Sequence, residues 1–506
     1  MEKLTPLSGK SLFWVTIALS AAVFMQVLDS TIANVALPTI SGNLGAATSQ
    51  GTWVITSFAV SNAISIPITG WLSKYFGEVK IFLYSTLLFI ISSWLCGIST
   101  SLPMLIFFRL IQGLVAGPMI PLSQSLIVSS YPPEKRSFAL GMWSLVIVIA
   151  PICGPILGGI ISDNWHWGWI FFINIPFGII TIIILKIIFK NKETAIIKHK
   201  IDKVGLFLLI IGVGCLQMML DRGKELDWFN SNEIIILFVI SVIFLTYLLF
   251  WELGDDKPLI DFRLFKSRNF SVGVLGISLG FFLHFGVIVL IPMLLQTRYG
   301  YTAIWAGLVA APIGILPVFI SPLLGKYGNN IDMRILVSIS FFIYAICFYW
   351  RSKFAPQMSY IDFMLPQFIQ GIAIATFFLP LVTISLSQIP LNKIASASSL
   401  SNFFRTLAGG MGTSFVTTLW ERRSSFHHAR LTEYITNYSQ NTHQWLNIIS
   451  EKGISSNSIQ NSFLELNLNN QSYIMGANDV FLISSIIVLL LIIVVWFAKP
   501  PFSSTN

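Results

Sequence analysis

Charge is what this sequence has least of. Only 10% of its 506 residues are Asp, Glu, Lys or Arg, against about 25% in an average soluble domain. With 55% hydrophobic residues, a water-soluble chain could not hide its apolar surface, because a single core stops growing near about 250–300 residues. Cysteine is scarce too. Cys96, Cys153, Cys215 and Cys347 all lie inside apolar runs, where a thiol acts as a small hydrophobe and neither a disulfide nor a metal framework is indicated. No glycine-rich phosphate loop ending in Lys-Ser or Lys-Thr is found, no credible Gly-x-Ser-x-Gly elbow and no zinc-protease helix. Those absences argue against an ATP-driven pump and against an enzyme. No metal or cofactor is expected. The net charge of +9 does not mark a nucleic-acid binder, since the basic residues are scattered between apolar runs and form no continuous patch. A cleavable signal peptide is not expected either, because the first apolar run starts near Leu12 and lasts past residue 30.

Long apolar runs are what the sequence has in quantity. A bilayer core demands about 20 mostly apolar residues per helix. Fourteen such runs can be read, the first centred near residue 25, the thirteenth near 409 and the last near 488. They must be helices, since lipid offers no partners to open strand edges. An all-α polytopic membrane protein with 14 transmembrane helices is the expected fold. Basic residues orient it. With the N-terminus inside, Lys10, Lys80, Lys135, Arg136, Lys190, Lys266, Arg334 and Lys499 gather on the cytoplasmic side, leaving Arg222, Lys224, Arg298, Arg351 and Lys353 in short outward loops. Both termini are then cytoplasmic. Residues 421–476, polar and rich in Asn, Ser and Gln, form the one long outward loop, with 421–434 open to a helical reading. It reads either as a solvated linker or as a docking surface for a periplasmic partner.

The chain also repeats itself. Trp53, Lys74 and Tyr75 recur as Trp305, Lys326 and Tyr327, and Ile111-Gln112-Gly113 recurs as Ile369-Gln370-Gly371. Two six-helix halves, 1–190 and 269–506, with two extra helices in a linker over 191–268, fit this pattern. Parallel halves around a midplane site are how many secondary transporters alternate access.

Few charges fall inside the runs, and each costs about 2.5–3.5 kcal/mol on insertion scales. Asp29 lies in the first run, Arg109 in the fourth and Arg405 in the thirteenth; His284 in the ninth is titratable. Asp29 has two readings: a proton carrier in an apolar site, or a structural carboxylate paired with Arg109. Arg109 cannot deprotonate, so it is a fixed countercharge or a packing group on one helical face with Gln112 and Gly113. His284 reads as a satisfied core histidine. His427 and His428 lack spacing suited to zinc. Gln26, Asn34, Gln112, Phe378, Asn402 and Arg405 are candidates to line a substrate cavity. In the fifth run Gly154, Pro155, Gly158 and Gly159 supply either a flexible seam between the halves or a simple kink. Gly70, Lys74 and Gly77 belong to a short basic cytoplasmic turn.

These motifs are similar to those of the major facilitator superfamily, and within it the fourteen-span drug:proton antiporters. Leu28-Asp29-Ser30-Thr31-Ile32-Ala33-Asn34 resembles the first-helix motif, and Arg109-x-x-Gln112-Gly113 the fourth-helix motif. The Gly154-Pro155 helix resembles the antiporter motif, and Trp167 to Pro176 the entry to the sixth helix. One position departs: Ser73 stands where the superfamily loop usually has Asp. Leu220–Trp228, Tyr349–Arg351 and Trp496–Pro501 extend the likeness to multidrug export permeases over nearly the full length. The resemblance implies export of hydrophobic drugs across a bacterial inner membrane, driven by the proton gradient. It also implies a periplasmic adaptor of the EmrA type and an outer-membrane channel of the TolC type. Two rivals remain: an exporter of one metabolite, lipid or peptide, and a non-transporting membrane receptor or scaffold.

Overall fold

A computed structural model describes residues 2–3, 7, 9–46, 48–132, 135–197, 201–223, 225–255, 258–327, 331–435, 439–440, 442, 444 and 456–502. The apolar runs fold as α-helices because each satisfies its backbone internally. They are α1 (Lys10–Asn43), α2 (Trp53–Phe76), α3 (Glu78–Gly97), α4 (Leu102–Ala116), α5 (Met119–Ser130), α6 (Arg136–Asn164) and α7 (Asn174–Ile188). Then come α8 (Lys203–Arg222), α9 (Asn232–Gly254), α10 (Arg268–Arg298), α11 (Ala303–Ala310) and α12 (Ile315–Tyr327). The chain ends with α13 (Met333–Arg351), α14 (Tyr360–Leu386), α15 (Ile394–Glu433) and α16 (Asn457–Val495).

Thirteen of the fourteen expected centres fall within these helices, and the tenth, near residue 314, falls in the 3-10 turn Ala311–Gly314 that joins α11 to α12. By length and composition, however, the described residues hold twelve spans that can cross a membrane, α4 with α5 and α11 with α12 each making one, or thirteen with α6, which bends by 43° after Pro151. The fourteenth, α15, is too rich in Ser, Thr and Arg to qualify. Its polar faces are tolerated because α2, α5, α10 and α16 pack around it and shield it from lipid.

Within the chain before residue 190, α1 packs on α6 and α7, α2 on α4, and α3 on α4 and α7. After residue 268, α10 packs on α14, α15 and α16, and α13 on α14 and α16. The two groups meet where α6 crosses α11, α12 and α14, and where α15 crosses α2 and α5. The pair α8–α9 leans on α2 and α15.

Local chemistry fixes the ends. Asp202 caps α8 by accepting from Val204 N and Gly205 N, each at 3.0 Å, and Ser359 with Asp362 makes a capping box on α14. Glu193 caps α3 from a distance, accepting from Val79 N and Lys80 N at 3.0 Å each. Strand β2 (Lys192–Glu193), which carries it, pairs in parallel with β1 (Glu2–Lys3).

The long polar segment is not a simple loop. At about 1.5 Å per residue, the 40 residues of α15 reach about 60 Å, twice the hydrocarbon thickness of about 30 Å. Helix α16 is nearly as long and packs along it. Residues 421–433 and 457–476 thus extend these two helices as a hairpin, tied by Arg423 and His427 to Asp479 at 2.7 and 2.6 Å and by His428 to Glu465 at 3.0 Å. The helical reading of 421–434 holds as far as Glu433, whereas 457–476 carries no apolar run from which its helix could be read.

Candidate functional site

Asp29 sits midway along α1 with no exposed surface. Its Oδ2 lies 2.5 Å from Arg109 Nη1 on α4. Its Oδ1 accepts from Gln112 Nε2 at 3.1 Å and from Asn174 Nδ2 at 2.8 Å. Arg109 is equally buried. It also donates from Nε to the Val54 carbonyl at 3.1 Å and from Nη1 to Gln112 Oε1 at 2.8 Å. The Phe58 ring closes one face of the guanidinium, 4.2 Å from its centre. Asn174 donates further to Ser93 Oγ at 3.0 Å, which in turn donates a hydrogen bond to the Phe171 carbonyl at 2.9 Å. Five helices therefore converge on one carboxylate. A buried ion pair stands only when its remaining donors and acceptors are met, and no polar atom of Asp29, Arg109 or Gln112 is buried without a partner. Sequence reasoning named Asp29, Arg109 and Gln112 but missed Asn174 and Ser93, which lie in other runs and carry no charge.

The other candidates scatter. Gln112 belongs to the Asp29 network. Gln26 is buried with its Oε1 unpartnered. Asn402 on α15 donates to Gln124 Oε1 on α5 at 3.3 Å, a contact between the two helix groups. Phe378 on α14 stacks on Trp143 of α6, with centroids 6.0 Å apart. Arg405 lies over Phe281 and Phe378, 5.1 and 5.6 Å from the ring centres. Arg405, Phe378 and Trp143 thus form an aromatic and cationic wall where the groups face each other. The side chains of Asn34 and Pro155 fall outside the described residues.

Gly154 and Gly158 pack against α1 of their own half: a Cβ at Gly154 would run into Thr31, and one at Gly158 would sit 2.8 Å from the Ile32 carbonyl. Around Gly159 there is open space. Another face of α6 meets α11 and α12, with Gly141 against Ser321 and Ile156 against Gly307. Gly70 lets α2 approach α15, since a Cβ there would lie 3.2 Å from Ser396 Cα. Gly77 takes φ +96°, a conformation that suits glycine, and ends α2. Lys74 lies within the field of Asp261, which pairs with Lys393 at 2.9 Å. Ser73 only donates to the Gly70 carbonyl.

Arg351 requires a correction. It is no outward-loop residue but the last of α13, with no exposed surface. Sequence reading put it outside because the apolar run ends there and Lys353 follows. Its Nη2 donates to Gln367 Oε1 at 2.9 Å and Gln370 Oε1 at 2.5 Å on α14. Near it, Tyr344 OH lies 3.3 Å from His284 Nδ1.

Membrane-length helices, two packed groups and a buried charge network at helix midpoints define a multi-pass membrane transporter. The chain belongs to the Major Facilitator Superfamily, whose profile matches residues 19–413. It is 57% identical over 505 residues to the multidrug export protein EmrB of Escherichia coli (strain K12), covering 100% of this chain and 98% of that one. It is 55% identical over 499 residues to the fatty acid resistance protein FarB of Neisseria gonorrhoeae, covering 99% and 98%. The crystal structure of the human organic anion transporter MFSD10 (TETRAN) aligns with a TM-score of 0.60 at 13% identity, covering 96% of this chain and 99% of that one. At that identity it shares the fold alone.

Proposed function

We propose that the chain is a proton-coupled antiporter that exports hydrophobic and amphiphilic drugs across the bacterial inner membrane. The observation that carries this reading is the Asp29–Arg109 pair, a buried carboxylate held by donors from two other helices. With Asp29 ionised the pair is neutral. Protonation leaves Arg109 as a cation without a countercharge, held by Val54, Gln112 and the Phe58 ring, so the loaded and empty sites favour different arrangements of α1, α4 and α7. The proton gradient supplies about 2.3 kcal/mol per charge for each 100 mV. Relatives bearing multidrug export names at 57% identity support the cargo class. Both termini face the cytoplasm, and the halves 1–190 and 269–506 rock about the seam formed by α6 and α15, with 191–268 as an inserted pair. The permease works with a periplasmic adaptor of the EmrA type and an outer-membrane channel of the TolC type, for which the α15–α16 hairpin offers a projecting surface. No cofactor takes part.

A narrower cargo, one metabolite, lipid or peptide, is the second reading. The name of the fatty acid resistance relative favours it. The test is purified protein in liposomes with an imposed pH gradient, following internal pH as drugs are added. Proton movement triggered by several unrelated drugs supports the multidrug reading, and response to one chemical class supports the narrower one. No movement with any compound from folded protein overturns both.

A further inference from the structure

The repeat supplies an internal comparison. Gln112 on α4 and Gln370 on α14 occupy matching positions in the Ile-Gln-Gly pair, and the side-chain oxygen of each accepts from a buried guanidinium, Arg109 at 2.8 Å and Arg351 at 2.5 Å. In the first half the cation is answered by Asp29. In the second half the guanidinium faces the Phe348 ring, 5.7 Å from its centre. Among the described residues no carboxylate pairs with Arg351, and its Nε and Nη1 are buried without a hydrogen-bond partner. The titratable groups that face it are Tyr344 and Cys347 on its own helix and His284 on α10. None of these side chains ordinarily carries negative charge at neutral pH. Gln367 and Gln370 present only their oxygens to Nη2.

Arginine keeps its charge at any physiological pH, and an uncompensated buried charge is strongly unfavourable. Arg351, Gln367, Gln370 and Tyr344 are all buried, so a partner for the guanidinium has to be small.

We infer that the Arg351 cluster is a binding site for one exchangeable monovalent anion, a halide or a carboxylate of acetate size, standing where Asp29 stands in the first half. The anion accepts from Nε and Nη1 and neutralises the second half's interior as Asp29 neutralises the first. This assignment does not depend on which drugs are exported.

The test uses the purified full-length protein. Labelled chloride binding is measured at equilibrium, and melting temperature is followed in chloride, bromide, acetate or gluconate at constant ionic strength. The expected result is about one chloride per chain, displaced by bromide and acetate, with a melting temperature that rises and saturates as a ligand-linked equilibrium requires. Gluconate, too large for the site, gives no rise. Arg351→Gln removes both binding and the rise. Gln370→Glu places a carboxylate beside the guanidinium, so its melting becomes independent of chloride; this variant decides the matter if Arg351→Gln does not accumulate. Wild-type protein that binds no chloride and melts alike in chloride and gluconate overturns the assignment, with water then completing Arg351. A chloride response unchanged in both variants overturns it too, by placing the anion elsewhere.

Discussion

Asn174 donates to the Asp29 carboxylate at 2.8 Å from a position 145 residues further along the chain. It is the first residue of α7, and the same amide reaches Ser93 on α3. Asp29 is thereby gripped from two sides, by Arg109 and Gln112 of α4 and by Asn174 of α7. On the proposed mechanism, a proton arriving on this carboxyl alters bonds to both helices at once.

Removing one partner of the pair is expected to cost both transport and stability. Asp29→Asn should abolish drug-dependent proton movement in liposomes. It should also destabilise the protein by about 3–5 kcal/mol, because Arg109 is left buried and unpaired. The double variant Asp29→Asn/Arg109→Gln should regain part of that stability and none of the transport, as read by denaturation midpoint and proton flux. A double variant no more stable than the single one would mean the pair is not energetically coupled.

The glycines of α6 should not behave alike. Gly154→Ala drives a methyl group into Thr31, whereas Gly159→Ala meets open space. Overpacking of this kind costs about 1–3 kcal/mol, while a change at an unencumbered site stays within about 0.5 kcal/mol. Thermal melting of the two purified variants checks the contrast, and equal effects would refute the packing assignment.

Arg405 lies between Phe281 and Phe378 with no carboxylate bonded to it among the described residues. A cation on aromatic faces contributes about 0.5–2 kcal/mol to a site and should favour acidic amphiphiles. Arg405→Gln is expected to raise the half-saturating concentration of acidic drugs about tenfold, equivalent to about 1.4 kcal/mol, and to leave neutral drugs nearly unchanged. Efflux assays with matched acidic and neutral compounds read this out.

The hairpin beyond α15 and α16 hangs on Asp479, which holds Arg423 and His427 together. Asp479→Asn removes the charge that both share. Limited proteolysis within residues 421–433 and 457–476 should then proceed several-fold faster, as local opening becomes easier. An unchanged cleavage rate would show that packing of Trp420 on Tyr473 suffices.

Hydropathy exposed every helix of the bundle because lipid imposes the same demand on each span. Its signal was weakest at the thirteenth run, because it averages over faces: helix α15 is polar where α2, α5 and α10 cover it. Arg351 was lost to a loop by the same averaging, since a charge at the end of an apolar run looks exposed whether or not its side chain turns inward. Asp29, Arg109 and Gln112 were legible because charge and helical spacing singled them out. Asn174 and Ser93 were not, because only the three-dimensional crossing of α1, α3 and α7 brings uncharged residues to that carboxylate.

The pairing of β1 with β2, and the grip of Glu193 on the start of α3, fasten the segment that leaves α7. The extra pair α8–α9 is therefore attached to a fixed post and not to a free helix end. On the proposed mechanism that anchor is a strain relief, like the clamp on a cable, set between the two outer helices and the Asp29 carboxylate that α7 holds through Asn174.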